Sequence, residues 1–197
     1  MQIDRILYPI TTLGPGERLV IWTIGCSKQC FNCSNPELWK RDPNRDINTN
    51  ELMDLIMKTL PKEKVEGVTI TGGDPLEQIK ELNKLLPLLH SITDDILVYT
   101  GYPFAALQEK LAKEDFAVLE QYVTVLIDGV YTEDLNDNSC PLRGSSNQQL
   151  IYFDDSKKEK YLHYLNNTRS VQNIFYNDKM ISVGIPIKEH LIMEVFK

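Results

Sequence analysis

The sequence predicts an α/β fold built on a mainly parallel sheet of about six strands with outer helices, and three observations support it. Short apolar runs alternate with helix-like patterns as far as residue 127. Parallel strands need crossovers, and intervening helices supply them. The chemically unusual segments, a cysteine loop, Gly72-Gly73-Asp74, Thr100-Gly101-Tyr102 and Asp128-Gly129, each follow a predicted strand. Open α/β sheets collect their ligands at such strand ends.

Taken in order, residues 18–24 form an apolar strand that leads straight into the cysteines. Residues 48–60 read as a helix with Leu52, Leu55, Ile56 and Leu60 on one face and Asn48 and Glu51 spaced as a capping box. Residues 68–71 are a strand bounded by glycines. A helix over 76–89 follows, opened by Asp74 as N-cap and Pro75 at the first helical position. Residues 96–100 repeat the strand, 103–113 and 117–121 the helices, and 123–127 the next strand.

Beyond these lie a long polar loop over 132–146, a strand over 150–153 and a helix over 157–165. Strands over 171–176 and 180–185 are joined by a turn at Asn177-Asp178. With 197 residues the chain is read as one domain over 1–197, with 154–197 as a C-terminal extension packed on the same core.

A net charge of -7 and a pI near 5.0 argue against direct nucleic-acid binding or attraction to acidic membranes. No segment is long and apolar enough to cross a bilayer, and the first residues lack a signal-peptide pattern, so the expectation is a soluble cytoplasmic chain. Four cysteines are too few for a dense disulfide framework, and three of them crowd into residues 26–33. Metal binding explains that crowding better.

Cys26, Cys30 and Cys33 supply three soft thiolates, so a cubane of four irons would keep one corner free for a ligand that is not protein. Gly25 permits the bend before the loop. Zinc is the alternative. It prefers four protein ligands, and Cys140, His90, His163 and His190 are all remote in sequence.

The pattern Cys26-x-x-x-Cys30-x-x-Cys33, followed by Thr71-Gly72-Gly73-Asp74-Pro75, resembles the radical S-adenosylmethionine superfamily. The closer resemblance is to the family of glycyl-radical activating proteins of anaerobic ribonucleotide reductase. It rests on Gly14-Pro15-Gly16, Gly25-Cys26, Asn35-Pro36, Trp39, Thr100-Gly101-Tyr102, Leu126-Ile127-Asp128-Gly129 and Arg143-Gly144-Ser145-Ser146-Asn147-Gln148.

The resemblance implies a partial, open radical-S-adenosylmethionine barrel and one 4Fe-4S cluster ligated by Cys26, Cys30 and Cys33. S-adenosylmethionine would chelate the open iron and be cleaved reductively, and the resulting 5'-deoxyadenosyl radical would take a hydrogen atom from a partner glycine. The implied partners are the catalytic subunit of anaerobic ribonucleotide reductase and a flavodoxin-like or other low-potential electron donor. The cofactor supplies this chemistry, so no side chain is assigned as a conventional acid or base.

The same resemblance implies cofactor contacts by Gly72, Gly73 and Asp74, and by Thr100 and Asp128 near the methionine end. Asn32 stands where many superfamily members carry an aromatic residue, which leaves its contact to the backbone. Arg143, Ser145 and Asn147 are expected to shape the pocket or the entry of the partner glycine. Gly184-Ile185-Pro186 is similar to a late pocket segment of the superfamily, and Cys140 is not expected to ligate the cluster. Each segment also has a plain reading as a strand-to-helix turn, a strand end or a polar loop. The alternatives kept open are another radical enzyme acting on a peptide or small molecule, and a metal-binding electron-transfer or structural protein.

Overall fold

Apolar strands and amphipathic helices alternate as their patterns require, and the computed structural model describes them over residues 1–60, 65–176 and 179–188. Six strands form one sheet in sequence order: β1 (Ile3–Ile10), β2 (Arg18–Thr23), β3 (Gly67–Gly72), β4 (Ile96–Tyr99), β5 (Val125–Ile127) and β6 (Leu150–Tyr152). Strands β2 to β5 run parallel, and β1 and β6 pair antiparallel at the two edges. The mainly parallel expectation holds. Strand β1 was not expected, because Asp4 and Arg5 interrupt its apolar residues. An edge strand tolerates that interruption, since most of β1 is only half-buried.

The two faces of the sheet are covered differently. Helices α1 (Thr49–Thr59), α2 (Ile79–His90), α3 (Phe104–Lys110) and α4 (Lys113–Tyr122) lie on one face. There Leu52, Ile56, Leu82, Leu86, Leu107 and Leu119 pack with Leu19, Ile21, Val68 and Val98 of the strands. The Asn48 side chain accepts from Glu51 N–H at the start of α1, as the capping pattern requires. Leu55, expected on the buried stripe, is exposed, so α1 contacts the core through a narrower line of Leu52 and Ile56.

The other face carries Val20, Trp22, Leu97, Val125 and Ile127. Cys140 and Leu142 of the long loop, Tyr161 of α5 (Lys158–Leu165), and Val183 of a two-stranded ribbon cover it. That ribbon pairs β7 (Val171–Tyr176) with β8 (Lys179–Gly184) apart from the main sheet. The expected turn at Asn177-Asp178 lies outside the described residues. No described helix is long and apolar enough to cross a membrane.

At the N-terminal end of β2, Arg18 is fully buried. Its guanidinium donates to Thr69 Oγ1 at 2.7 Å, Val68 O at 2.7 Å, Pro15 O at 3.1 Å and Asp95 Oδ1 at 3.0 Å. Lys160 and Tyr161 also donate to the Asp95 carboxylate. Burial alone would raise the Asp95 carboxyl, but the charge and hydrogen bonds of Arg18 outweigh it and hold Asp95 below its ordinary value. Gly14 and Gly67 leave room for Arg18, since a Cβ on Gly67 would come within 2.2 Å of its Nη1.

Asp95→Ala strands a buried guanidinium and is expected to lower unfolding stability by about 3 kcal/mol in urea titrations at neutral pH. A depressed carboxyl stabilises the fold above its ordinary value of 3.8, and that contribution is lost as pH falls through the lower folded value. The wild-type urea midpoint should therefore drop more steeply than that of the variant below that pH.

Candidate functional site

The cysteine loop begins where β2 ends, and backbone contacts fix its first residues. Gly25 N–H donates to Leu38 O at 2.8 Å and Cys26 N–H to Trp39 O at 3.0 Å. From the neighbouring strand end, Gly73 N–H donates to Thr23 O and Asp74 N–H to Gly25 O, both at 2.8 Å. A Cβ on Gly72 would lie 2.6 Å from the backbone N and O of Thr23, and one on Gly73 would lie 2.5 Å from Gly25 O. The glycine pair is thus required by the approach of two backbones. Buried Gln78 adds a third tie, its Nε2 donating to Ile24 O at 3.1 Å and to Gln2 O at 3.2 Å.

Beyond that anchor the chain turns through residues of positive φ, Gln29 at 47° and Asn32 at 55°. Cys26, Cys30 and Cys33 are all half-buried and line one cavity of about 260 Å³. Burial pushes the Cys26 and Cys30 thiols up, partly offset by backbone N–H donors that include Tyr131 for Cys30. Asn32, Gly72, Gly73 and Thr100 line the same cavity.

The remaining expected contacts stand behind its wall. Asp74 is 1% exposed, and its carboxylate accepts from Leu76 N–H, Thr100 Oγ1 and Gly101 N–H. Burial raises its carboxyl, and those donors pull it back only in part. Asp74 therefore clamps the Thr100 turn to the Gly-Gly turn. Asp128 accepts from Phe104 N–H at 2.7 Å and Gln149 N–H at 2.8 Å, capping the start of α3 where Pro103 offers no side-chain cap.

The block over 143–148 is held by its own polar groups. Arg143 donates to Gln148 O, buried Ser145 accepts from Thr132 N–H, and Asn147 donates to Val130 O. Of this block, Gly144 and Gln148 line the cavity, whereas Arg143, Ser145 and Asn147 do not.

The donor set fits a 4Fe-4S cluster. Among the described residues no three His, Cys, Asp or Glu side chains converge on one ion. A cubane instead takes each thiolate on a separate iron, so its ligands surround a cavity rather than meet at a point. Cys140 is buried on the far side of the wall with Leu97, Val125 and Tyr161, so it offers no fourth thiolate. Trp39 lines the cavity, and its indole N–H is buried without a partner among the described residues, a donor available to an anionic sulfur.

A family described as a 4Fe-4S single cluster domain matches residues 12–151. The anaerobic ribonucleoside-triphosphate reductase-activating protein of Enterobacteria phage T4 is 35% identical over 157 residues, 76% of this chain and 93% of that protein. The proteins of the same description from Salmonella typhimurium and Escherichia coli K12 are each 31% identical over 148 residues, 72% of this chain and 92% of theirs. The chain belongs to this 4Fe-4S activating-protein family.

Within that family frame, the structure adds wall residues that the sequence did not single out. Lys28 is the one charged side chain in the described wall, and its ammonium lies 3.1 Å from the Tyr102 ring centroid. Tyr99 ends β4, where strand position was the available signal, and Tyr131 lies in the loop after β5, where there was none. Gln148, the end of the block over 143–148 singled out in the sequence, ties the wall together, its Oε1 accepting from Gly144 N–H at 2.8 Å and its Nε2 donating to Gly129 O at 3.0 Å. Ile185 and Pro186, which belong to the Gly184-Ile185-Pro186 segment singled out in the sequence, line the cavity from the C-terminal part of the chain.

Gly73→Ala must push the cysteine loop away from β3, and a roughly tenfold loss of cluster retention is expected. Iron and sulfide analysis after anaerobic reconstitution measures it. In the same assay Cys140→Ser should keep the wild-type iron content, whereas Ser at 26, 30 or 33 should reduce it.

Proposed function

We propose that this chain activates an anaerobic ribonucleotide reductase by installing a radical on a glycine of the reductase catalytic subunit. The observation that carries the reading is the set of three thiols and a Gly-Gly turn around a single cavity whose wall offers no fourth thiolate or histidine among the described residues. Family membership and the description shared by the relatives agree with it.

Cys26, Cys30 and Cys33 would hold a 4Fe-4S cluster, with S-adenosylmethionine bound beside it. The bound cluster would supply the electron for reductive cleavage of S-adenosylmethionine, the chemistry from which the hydrogen-atom abstraction at the partner glycine would follow. Gly72, Gly73 and Thr100 would border the methionine end of the cofactor and Asn32 the adenine or the cluster, while Asp74 and Asp128 fix the turns beside them. Arg143, Ser145 and Asn147 act through Gly144 and Gln148 of the wall. Lys28 offsets the negative charge of a carboxylate or of the cluster itself.

A radical that attacks C–H bonds must arise beside its target, so the sheet is read as the partial, open form of the radical-S-adenosylmethionine barrel, with a lateral entrance for a glycine-bearing segment. In this reading residues 1–197 form one domain, 154–197 being an extension on the same core. A flavodoxin-like or other low-potential protein in the cytoplasm delivers the electron.

The test is anaerobic incubation of the reduced cluster protein with S-adenosylmethionine and the reductase. A glycine-centred doublet in the electron paramagnetic resonance spectrum of the reductase, formed together with 5'-deoxyadenosine, is expected. Cleavage without the doublet would redirect the substrate to another peptide or small molecule. A cluster that exchanges electrons without consuming S-adenosylmethionine would make the chain an electron carrier.

A further inference from the structure

The matched relatives are covered almost entirely, yet about a quarter of this chain lies outside each match, and the family match ends at residue 151. The described residues beyond that point supply Ile185 and Pro186 to the cavity wall, and one further side chain gathers several of its segments. Arg169, between α5 and β7, is 5% exposed. Its Nε donates to Cys140 O at 2.9 Å, and its Nη2 to Arg143 O at 2.7 Å and Gly144 O at 3.1 Å. Its Nη1 donates to Asn136 Oδ1 at 2.7 Å, Asn138 Oδ1 at 3.0 Å and Pro186 O at 3.2 Å. All six acceptors are uncharged, and three belong to residues that line the cavity: Asn136, Gly144 and Pro186.

A second bracket lies beside it. Lys188 N–H donates to Asn138 Oδ1 at 2.7 Å, and Asn138 Nδ2 donates to Lys188 O at 3.1 Å, which pairs loop and C-terminal segment much as two strands would pair. Lys188 Nζ reaches Glu133 Oε1 at 2.7 Å. The loop over 132–148 has only a short helical turn, Glu133–Leu135, and no ladder of its own. Bonds within 143–148 and the buried Leu142 anchor its later part, so these ties bear chiefly on the stretch from Asn136 to Cys140, and without them a ligand would bear more of the entropy of ordering it. The planar guanidinium suits this task, because its five donors radiate in a fixed fork that a lysine ammonium does not reproduce.

We propose that Arg169 is a positioning residue for S-adenosylmethionine, holding residues 136–144 and Pro186 in the form of a ready-made wall. This role rests on the reading of the cavity given under Proposed function, and it assigns to the segment beyond the family match a part in cofactor affinity.

The experiment uses the full-length protein with its oxidised cluster, so that no turnover occurs. S-adenosylmethionine binding is titrated calorimetrically, and hydrogen-deuterium exchange, iron content and thermal midpoint are measured on the same samples. Arg169→Lys should keep its iron, lose exchange protection over 132–148 and 185–188, and bind S-adenosylmethionine on the order of tenfold more weakly, as for a site preformed in about a tenth of molecules. Asn138→Gly keeps the left-handed backbone and removes the second bracket together with one of the six Arg169 acceptors, and it should move affinity and protection the same way by a smaller factor. It decides the matter if the arginine variant does not fold.

Unchanged affinity in the folded variants, even with a lowered thermal midpoint, would leave Arg169 a fold-stabilising residue and overturn the proposal. Wild-type protein that binds no S-adenosylmethionine would instead overturn the reading of the cavity.

Discussion

The site depends on one close approach, between the backbones at the ends of β2 and β3. Their parallel register sets Thr23 beside Gly72, and beyond it Gly73 N–H donates to Thr23 O and Asp74 N–H to Gly25 O, both at 2.8 Å. No Cβ fits at Gly72 or Gly73. The consequence propagates in two directions. Cys26 follows the pinned Gly25, so the first thiol inherits its position from the sheet. Asp74 follows the pinned Gly73, and its buried carboxylate carries the constraint sideways to Thr100 and Gly101 at the end of β4. A charge so deeply buried is tolerated because several donors meet it.

The opposite end of the sheet solves a different problem with similar means. Arg18, Asp95 and Tyr161 form a buried polar network at the N-terminal ends of the strands, joined by the half-exposed Lys160, and Pro15 O accepts from Arg18. The Gly14-Pro15-Gly16 block therefore serves the scaffold. Gly14 leaves space for the arginine stem, which a Cβ would meet at 2.7 Å. The network ties β2 and β4 to α5, while the chemistry is left to the other end.

Much of this was legible in the residue order. Apolar runs marked β2 to β5 because buried parallel strands need no polar alternation, and the capping residues Asn48 and Asp74 marked helix starts by their spacing. The edge strand β1 was not, because pairing with β2 rather than its own pattern makes it a strand. Within the site, glycine and cysteine spacing located the cavity. The direction of side chains was invisible, so Asp74 and Asp128, placed correctly at strand ends, turn their carboxylates to backbone N–H groups rather than to the cavity. Arg169 was beyond reach, since its acceptors are mostly carbonyls scattered over fifty residues of chain and no pattern of residue types encodes them.

The ties that hold the start of the cysteine loop are made wholly by protein atoms: Gly25 to Leu38, Cys26 to Trp39, Gly73 to Thr23 and Asp74 to Gly25. Each of these bonds joins main-chain atoms, so replacing the side chain of Leu38, Trp39 or Thr23 leaves its donor and acceptor in place. The entry to the loop therefore tolerates a change of residue type wherever the backbone path is kept, and Gly72 and Gly73, where a Cβ would collide, are the positions at which it does not.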